Sequence, residues 1–318
     1  MDLLSKIEQE ITQLNFPLNP SNLFDPLRYF LSLGGKRTRP QLAILGCELF
    51  DKKGEEALNV ALAVELFHNF TLIHDDIMDM APLRRGKPTV HTKWDNNIAI
   101  LSGDVLFVKA YEYLSQNKER QLPNLLAVFN QTAKEVCIGQ QLDMDFETNS
   151  IVSIADYLEM IKLKTSVLLG AALKMGAIVA DANANEQNLL YDFGLNIGMA
   201  FQLKDDLLDL FGDPEKFGKQ IGGDLLNNKK TYLILKALEL ANNDQRERLN
   251  HGMYQLTGSE KISFIKAIFE ELDIQKATEN KIQSYYDIAI EAISQIKTDN
   301  AAKTKLLELA SFIKNRVN

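Results

Sequence analysis

Residues 58–67 read Leu58-Asn59-Val60-Ala61-Leu62-Ala63-Val64-Glu65-Leu66-Phe67. Apolar side chains are too dense here for a helix with one exposed face, and no stretch of the chain keeps the strict alternation of a half-buried strand. Two long proline-free stretches, Asn124–Asp213 and Glu215–Asn318, leave room for long helices. The sequence therefore predicts an all-α protein with a buried central helix layer.

Length alone suggests about two domains, since roughly 150 residues per domain is usual and the chain has 318. Breaks rich in Gly, Pro, Asn and charge fall at Ser115–Asn124, Asp181–Asn188 and Gly212–Lys230. None is long enough to separate two domains. We therefore predict one helical domain spanning residues 1–318.

Composition and charge exclude several classes of protein. Lys and Arg number 35 against 43 Asp and Glu, and the net charge of −8 argues against nucleic-acid binding. The longest apolar stretch, Val167–Ala180, is too short to span a membrane and contains Lys174. The N-terminus lacks the apolar core of a secretory signal, and Cys47 and Cys137 form no disulfide framework. A cytoplasmic protein is predicted.

Two clusters share the pattern Asp-Asp-x-x-Asp. They are Asp75-Asp76-Ile77-Met78-Asp79 and Asp205-Asp206-Leu207-Leu208-Asp209, and each is expected to close a helix, before Pro82 and near Gly212. The first and last Asp of each cluster lie about 40° apart on a helix, so the three carboxylates are expected to converge. Such charges repel one another unless a cation lies among them, and hard carboxylate oxygens suit Mg²⁺ with substrate phosphates as further ligands. The clusters predict a metal platform for a phosphorylated ligand.

Two other polar residues extend the helix faces that carry the clusters. His68 precedes Asp75 by seven residues and therefore lies on nearly the same side of the first helix. Gln202 precedes Asp205 by three residues on the second helix. Gly194 and Gly198 on that second helix are interpreted as sites of close helix packing.

Basic motifs supply partners for an anionic ligand. Gly34-Gly35-Lys36-Arg37-Thr38-Arg39-Pro40 places glycines before three cations, although a solvated basic loop explains this string equally well. Pro82-Leu83-Arg84-Arg85-Gly86-Lys87-Pro88 follows the first cluster directly and is predicted as a loop beside the metals. Lys164 lies in apolar surroundings and must either extend its ammonium group to solvent or meet an anion. Lys219 and Lys229 follow the second cluster in Gly-containing or Asn-containing segments.

In their order along about 200 residues, these motifs resemble the trans-isoprenyl diphosphate synthases, also called polyprenyl synthetases. The resemblance implies the isoprenoid synthase fold, in which antiparallel helices surround a deep central cavity, usually in a homodimer. It also implies the reaction: an allylic diphosphate (dimethylallyl, geranyl or farnesyl) ionises, isopentenyl diphosphate attacks the cation, and loss of a proton leaves a product five carbons longer. Diphosphate is released.

The resemblance also implies roles for individual residues. About three Mg²⁺ ions would be held by Asp75, Asp79 and Asp205, with Asp76, Asp206 and Asp209 in support. The allylic diphosphate would contact Arg84, Lys164, Thr165, Gln202, Lys219 and Lys229. Isopentenyl diphosphate would contact Lys36, Arg39, His68 and Arg85.

Product length is expected to depend on residues five and four positions before the first cluster, Phe70 and Thr71. Helix geometry favours Thr71, about 40° from Asp75, over Phe70 at about 140°. The family pattern favours Phe70, and an aromatic side chain there is typical of short-chain enzymes that make geranylgeranyl or farnesyl diphosphate. We follow the family pattern and predict that Phe70 forms the floor of the cavity.

Four other functions are alternatives to this interpretation. A class I terpene cyclase also uses an aspartate-rich Mg²⁺ site but does not need the second diphosphate site made by Lys36, Arg39 and Arg85. A longer-chain polyprenyl diphosphate synthase would differ in cavity depth. A catalytically silent subunit of a heteromeric synthase would be expected to lack one aspartate cluster. A calcium sensor is disfavoured because neither cluster lies in a twelve-residue loop with Gly at its sixth position.

Overall fold

The computed structural model describes residues 3–149, 151–212 and 222–316. Within these ranges nearly all regular structure is helical, which confirms the predicted all-α class. A short 3₁₀ helix covers Gly54–Ala57, and a single π-helical turn covers Lys162–Ser166. The α-helices are α1 (Leu3–Thr12), α2 (Ser21–Ser32), α3 (Thr38–Glu48), α4 (Leu58–Met78), α5 (Val90–Lys93), α6 (Asn96–Ser115), α7 (Leu122–Thr148), α8 (Ile154–Ile161), α9 (Val167–Val179), α10 (Ala184–Phe211), α11 (Gly223–Leu226), α12 (Tyr232–Leu240), α13 (Asn243–Gln255), α14 (Gly258–Glu271), α15 (Ile274–Ser294) and α16 (Ala301–Asn315).

A β-hairpin, which the sequence did not predict, follows α4. Strand β1 (Leu83–Arg84) pairs antiparallel with β2 (Lys87–Pro88), so Leu83 lies opposite Pro88 and Arg84 opposite Lys87. The two turn residues, Arg85 and Gly86, have φ values of 53° and 73°. Positive φ at both central residues is the geometry that a two-residue hairpin favours.

The backbone divides into two compact units. The first contains Met1–Asn130, Ala171–Tyr191 and Thr298–Lys303, and the second contains Gln131–Gly170, Asp192–Lys297 and Thr304–Asn318. In the parts that the structure describes, no helix has both the length and the apolar composition needed to cross a bilayer.

Helix α4 forms the centre of the first unit. Every residue from Val60 to Phe67 is buried, as the dense apolar sequence predicts. Helix α6 packs directly against it, and a β-carbon at Gly103 of α6 would lie 2.4 Å from Nε2 of His74. The aromatic rings of Phe67 on α4, Phe107 on α6 and Phe129 on α7 pack against one another.

The second unit places α7 against the π-helical turn. A β-carbon at Gly139 would lie only 2.2 Å from the backbone nitrogen of Lys164. Ser153 and Asp156 form a capping box that starts α8. Helix α10 carries the second aspartate cluster in its last turns, and a β-carbon at Gly198 on this helix would lie 2.8 Å from Cα of Ser166. The close helix packing predicted at Gly198 is confirmed.

Candidate active site

The first aspartate cluster lies where α4 ends. The helix ends at Met78 and Asp79 caps it, as predicted. Asp76 is 1% exposed and accepts three hydrogen bonds from Arg84, at 2.8 to 3.0 Å. Asp75 is half-buried and Asp79 is exposed. The expected convergence of three carboxylates therefore fails at Asp76, because α4 turns this side chain inward, where a cation must compensate its charge.

The position of Arg84 follows from the β-hairpin. The hairpin begins four residues after Asp79, which brings Arg84 back to the carboxylate of Asp76. Two of its nitrogens, Nε and Nη2, bind Asp76. Arg84 therefore joins the Pro82–Pro88 motif to the first cluster.

Arg39 and His68 meet in the first unit, although 29 residues separate them in sequence. Nη1 of Arg39 lies 3.0 Å from Nε2 of His68. Because a guanidinium group has no acceptor, the imidazole nitrogen accepts this hydrogen bond. Burial lowers the pKa of His68 well below its usual 6.5, and the positive charges of Arg39, Arg84 and Arg85 lower it further. His68 is therefore neutral at physiological pH.

Arg39 has unused hydrogen-bonding capacity. Its Nε is buried and has no hydrogen-bond partner among the residues that the structure describes. Burial lowers the pKa of Arg39, and only the charge of Glu65 opposes this effect. A buried cationic donor of this kind favours an anion as ligand.

Arg85 packs against the glycine loop. A β-carbon at Gly35 would lie 3.1 Å from Nη2 of Arg85, so the guanidinium group lies directly over the loop that carries Lys36. Burial lowers the pKa of Arg85, and the charges of Arg37 and Arg84 add to this effect. Lys36 itself is exposed. Arg39, His68 and Arg85 thus lie together beside the loop that carries Lys36.

Arg37, in the same loop, has a structural role that no sequence motif indicated. Its side chain is 1% exposed and donates to Oε1 of Glu65 at 2.6 Å and to Oε1 of Glu8 at 2.7 Å. Its backbone is left-handed, with φ of 49°, at the start of α3. These ion pairs fix the loop between Lys36 and Arg39. Glu8 and Glu65 carry no local motif that would have identified them.

The second cluster repeats the arrangement of the first. Asp206, its central residue, is 5% exposed, accepts a short hydrogen bond from the hydroxyl of Tyr157 and a second from Nε2 of Gln202 at 3.3 Å. Burial raises the pKa of Asp206 to about 7, the bonds from Tyr157 and Gln202 oppose the rise, and the charge of Asp224 adds to it. Gln202 therefore shares a face with the cluster, as the spacing predicts, whereas Tyr157 was not identified from the sequence.

The two outer carboxylates of the second cluster also have partners. Oδ1 of Asp205 lies 2.5 Å from Nη1 of Arg316, whose guanidinium group also lies over the ring of Phe201. Oδ2 of Asp209 accepts the backbone N–H of Asp224 at 3.1 Å. Arg316 lies 111 positions from Asp205, and no sequence pattern relates the two.

Lys164 meets an anion rather than solvent. Its Nζ lies 2.5 Å from Oδ2 of Asp143 on α7. The residue belongs to the π-helical turn, a rare geometry that is frequent at functional sites. Of the alternatives left open by the sequence, the structure selects the anion, but the partner is Asp143, which had no predicted role.

The other residues predicted for the allylic diphosphate are placed as follows. Thr165 is half-buried beside Lys164. Lys229 is largely exposed, with Nζ 3.9 Å from Oδ1 of Asp224. Lys219 lies outside the described residues.

The carboxylates fit a magnesium site only if water or substrate supplies the remaining ligands. Among the described residues, no three His, Cys, Asp or Glu side chains form a group that could hold a metal by themselves. The central Asp of each cluster is bound by protein side chains, so the candidate metal ligands are the outer carboxylates, those of Asp75 and Asp79 in the first cluster and of Asp205 and Asp209 in the second. Mg²⁺ commonly takes one or two carboxylates and completes its shell with water and substrate phosphates. The donor set fits such a metal.

Phe70 and Thr71 have different surroundings. The ring of Phe70 stacks on Phe107 of α6, with centroids 4.9 Å apart and planes 11° apart, and also contacts His74. The hydroxyl of Thr71 donates to the carbonyl of His68 within α4 at 2.8 Å. Phe70 is thus one wall of an aromatic cluster between two helices.

Comparison with known proteins identifies the family of this chain. The model of the polyprenyl synthetase family matches residues 20–272. The chain is 38% identical over 317 residues to a geranylgeranyl diphosphate synthase of Methanosarcina mazei, covering 98% of this chain and 95% of that protein. It is 41% identical over 249 residues to a short chain isoprenyl diphosphate synthase of Methanocaldococcus jannaschii, covering 78% and 75%. A crystal structure of a geranylgeranyl pyrophosphate synthase superposes with a TM-score of 0.91 at 46% identity, covering 99% and 97%.

An all-α fold with two aspartate clusters and adjoining basic loops defines a class of prenyl-transferring enzymes. This chain belongs to the polyprenyl synthetase family.

Proposed function

We propose that this enzyme condenses isopentenyl diphosphate with allylic diphosphates of the dimethylallyl, geranyl and farnesyl series and makes geranylgeranyl or farnesyl diphosphate. The observation that carries the proposal is the Arg39–His68–Arg85 cluster in the first unit. It combines a neutral, half-buried histidine with guanidinium groups whose positive charge is unfavourable without an anion. In addition, Nε of Arg39 has no partner among the described residues. This is the expected chemistry of a diphosphate site, and a cyclase needs no such site for a second diphosphate.

The first step breaks the bond between C1 of the allylic substrate and its diphosphate oxygen. The electron pair leaves with the diphosphate, so cations beside the leaving group stabilise the transition state. Arg84, Lys164, Gln202 and Lys229 are proposed to contact this diphosphate, together with Thr165 and Lys219. Bound Mg²⁺ would supply further positive charge to the leaving group.

The second step joins two substrates. The double bond of isopentenyl diphosphate attacks C1 of the allylic cation, a carbon–carbon bond forms, and loss of one proton restores a double bond. Arg39, His68, Arg85 and Lys36 are proposed to hold isopentenyl diphosphate during this step. Because the pKa of His68 is depressed, it holds the substrate as a neutral hydrogen-bonding group. The departed diphosphate is the proposed proton acceptor.

We propose that Asp75, Asp79 and Asp205 bind the metal, with about three Mg²⁺ ions per site as the family pattern implies. Asp76 and Asp206 support them indirectly, since Arg84 and Tyr157 bind these two carboxylates. Asp209 supports the second cluster through its hydrogen bond to the backbone of Asp224.

We also propose a cytoplasmic homodimer of one-domain chains. Three apolar side chains on α6 support an interface: Ile100, Leu101 and Val108 are 42%, 58% and 59% exposed. Light scattering on the purified protein should give twice the mass of the 35.9 kDa chain. A monomer mass would contradict the dimer.

One assay tests the reaction. The pure protein is incubated with Mg²⁺, isopentenyl diphosphate and each of the five-, ten- and fifteen-carbon allylic primers, and the dephosphorylated products are separated by chain length. A twenty- or fifteen-carbon product supports the proposal. Products well beyond twenty carbons would indicate a long-chain synthase. Cyclised products formed without isopentenyl diphosphate would indicate a cyclase, and the absence of turnover would indicate a silent subunit.

A further inference from the structure

Gln140 is buried without any hydrogen bond. It lies on α7 and is 7% exposed, yet neither its amide nitrogen nor its amide oxygen has a partner among the residues that the structure describes. Most buried side-chain polar atoms are paired with protein or ordered water, because an unpaired one loses its bonds to water. An amide in this position lowers stability unless a ligand or an ordered water molecule binds it.

The surroundings of Gln140 change from apolar to charged along one side of α7. Ala133 and Val136 are buried at helical spacing before it, and Asp143 follows three residues later. Asp143 pairs with Nζ of Lys164 at 2.5 Å. Gln140 therefore stands where an apolar surface gives way to the ion pair of Lys164.

Backbone packing fixes this arrangement. The residue before Gln140 is Gly139, and a β-carbon there would lie 2.2 Å from the nitrogen and 2.7 Å from Cα of Lys164. Helix α7 and the π-helical turn are thus in direct backbone contact one residue from Gln140. Gln140 therefore lies on a helix that packs closely against a second element, and not in a loop.

We propose that Gln140 is a catalytic residue that contacts the allylic diphosphate. An allylic diphosphate also changes from apolar to charged, at the bond between its C1 and the first diphosphate oxygen. When that bond breaks, the electron pair passes to the oxygen, and the amide N–H of Gln140 donates to the diphosphate and stabilises its added charge. This inference rests on the proposed function of Lys164 as a ligand of the same diphosphate.

The test compares Gln140→Leu with Gln141→Leu. Gln141 is the neighbouring exposed glutamine, and its amide already donates to Oδ1 of Asp145 at 2.8 Å. Three quantities are measured for each variant: the melting temperature without ligands, the affinity for inorganic diphosphate with Mg²⁺, and kcat and KM for each substrate.

For Gln140→Leu we expect a melting temperature equal to or above that of the wild type, since leucine removes an unpaired buried amide. The affinity for inorganic diphosphate and kcat/KM for the allylic substrate should fall roughly 10- to 100-fold, as for a hydrogen bond to a charged group. KM for isopentenyl diphosphate should not change. Gln141→Leu should leave all these quantities near their wild-type values.

Two results would overturn the inference. One is a lower melting temperature of Gln140→Leu with unchanged allylic kinetics, which would make Gln140 a purely structural residue. The other is unchanged affinity for inorganic diphosphate. Wild-type activity separates the two proposals: an inactive wild type contradicts the proposed function, whereas an active wild type matched by Gln140→Leu contradicts only the role of Gln140.

Discussion

Arg84 donates three hydrogen bonds to the two carboxylate oxygens of Asp76, at 2.8, 2.9 and 3.0 Å. Tyr157 and Gln202 bind Asp206, the central residue of the second cluster, in a corresponding way. In both clusters the protein therefore binds the middle carboxylate, and the ligands that we propose for the metal are outer carboxylates. This division reduces the repulsion that three adjacent carboxylates would otherwise create.

Replacing Arg84 should destabilise the protein even without substrate. The Asp76 side chain is 2% exposed, and Arg84→Gln leaves its charge unpaired, which costs about 3–5 kcal/mol of unfolding free energy. Adding Asp76→Asn to this variant removes the charge and should recover much of the loss. The double variant should not regain the wild-type KM for the allylic diphosphate. Urea unfolding and steady-state kinetics check both parts, and a double variant no more stable than the single one would contradict this account.

His68 should make stability depend on pH. Its pKa lies well below 6.5 in the folded state, so the unfolded chain binds a proton that the folded protein does not. As pH falls below about 6.5, the wild type should lose unfolding free energy relative to His68→Gln, by at most about 1.4 kcal/mol per pH unit. Above pH 7.5 the difference between the two should be constant. Urea unfolding from pH 5 to 8 measures it, and a wild type that gains on the variant toward low pH would contradict the lowered pKa.

Gly139→Ala should displace Lys164. The new β-carbon would meet backbone atoms of Lys164, which cannot move aside as the end of a flexible side chain can. We expect a loss of about 1–3 kcal/mol or more in unfolding free energy and a higher KM for the allylic diphosphate. Gly223→Ala is the control, because its nearest neighbour would be Oδ1 of Asp209 at 3.4 Å. Equal stability of the two variants would show that α7 can move away from the π-helical turn.

The sequence predicted the helical class and the positions of both clusters because these depend on local signals. The density of apolar residues predicted α4, and Pro82 and Gly212 indicated where α4 and α10 end. The sequence could not predict partners that are distant along the chain. Asp143 lies 21 positions from Lys164 and Tyr157 lies 49 positions from Asp206, and no periodicity connects such pairs. The inward turn of Asp76 was also missed, because helix angles alone do not show what packs against a helix face.

Arg316 should compete with metal for Asp205. Its guanidinium group lies 2.5 Å from the carboxylate that we propose as a metal ligand. Arg316→Gln should therefore strengthen the binding of Mg²⁺ to the substrate-free protein by up to about fivefold, the limit for a partly exposed ion pair. Isothermal titration with Mg²⁺ alone measures this. Arg248→Gln, which breaks a surface pair with Glu271, serves as control. Weaker binding in Arg316→Gln would show that Arg316 supports the metal site instead.

Phe70→Ala should lengthen the product, whereas Thr71→Ala should not. The Phe70 ring stacks on Phe107 between α4 and α6, so its removal opens a space the size of an aromatic ring. Thr71 bonds to its own helix, and its truncation removes only a hydroxyl and a methyl group. Chromatography of dephosphorylated products should show at least one additional five-carbon unit for Phe70→Ala alone. If Thr71→Ala gave longer products and Phe70→Ala did not, the cavity floor would be formed by Thr71, the residue that helix geometry favours.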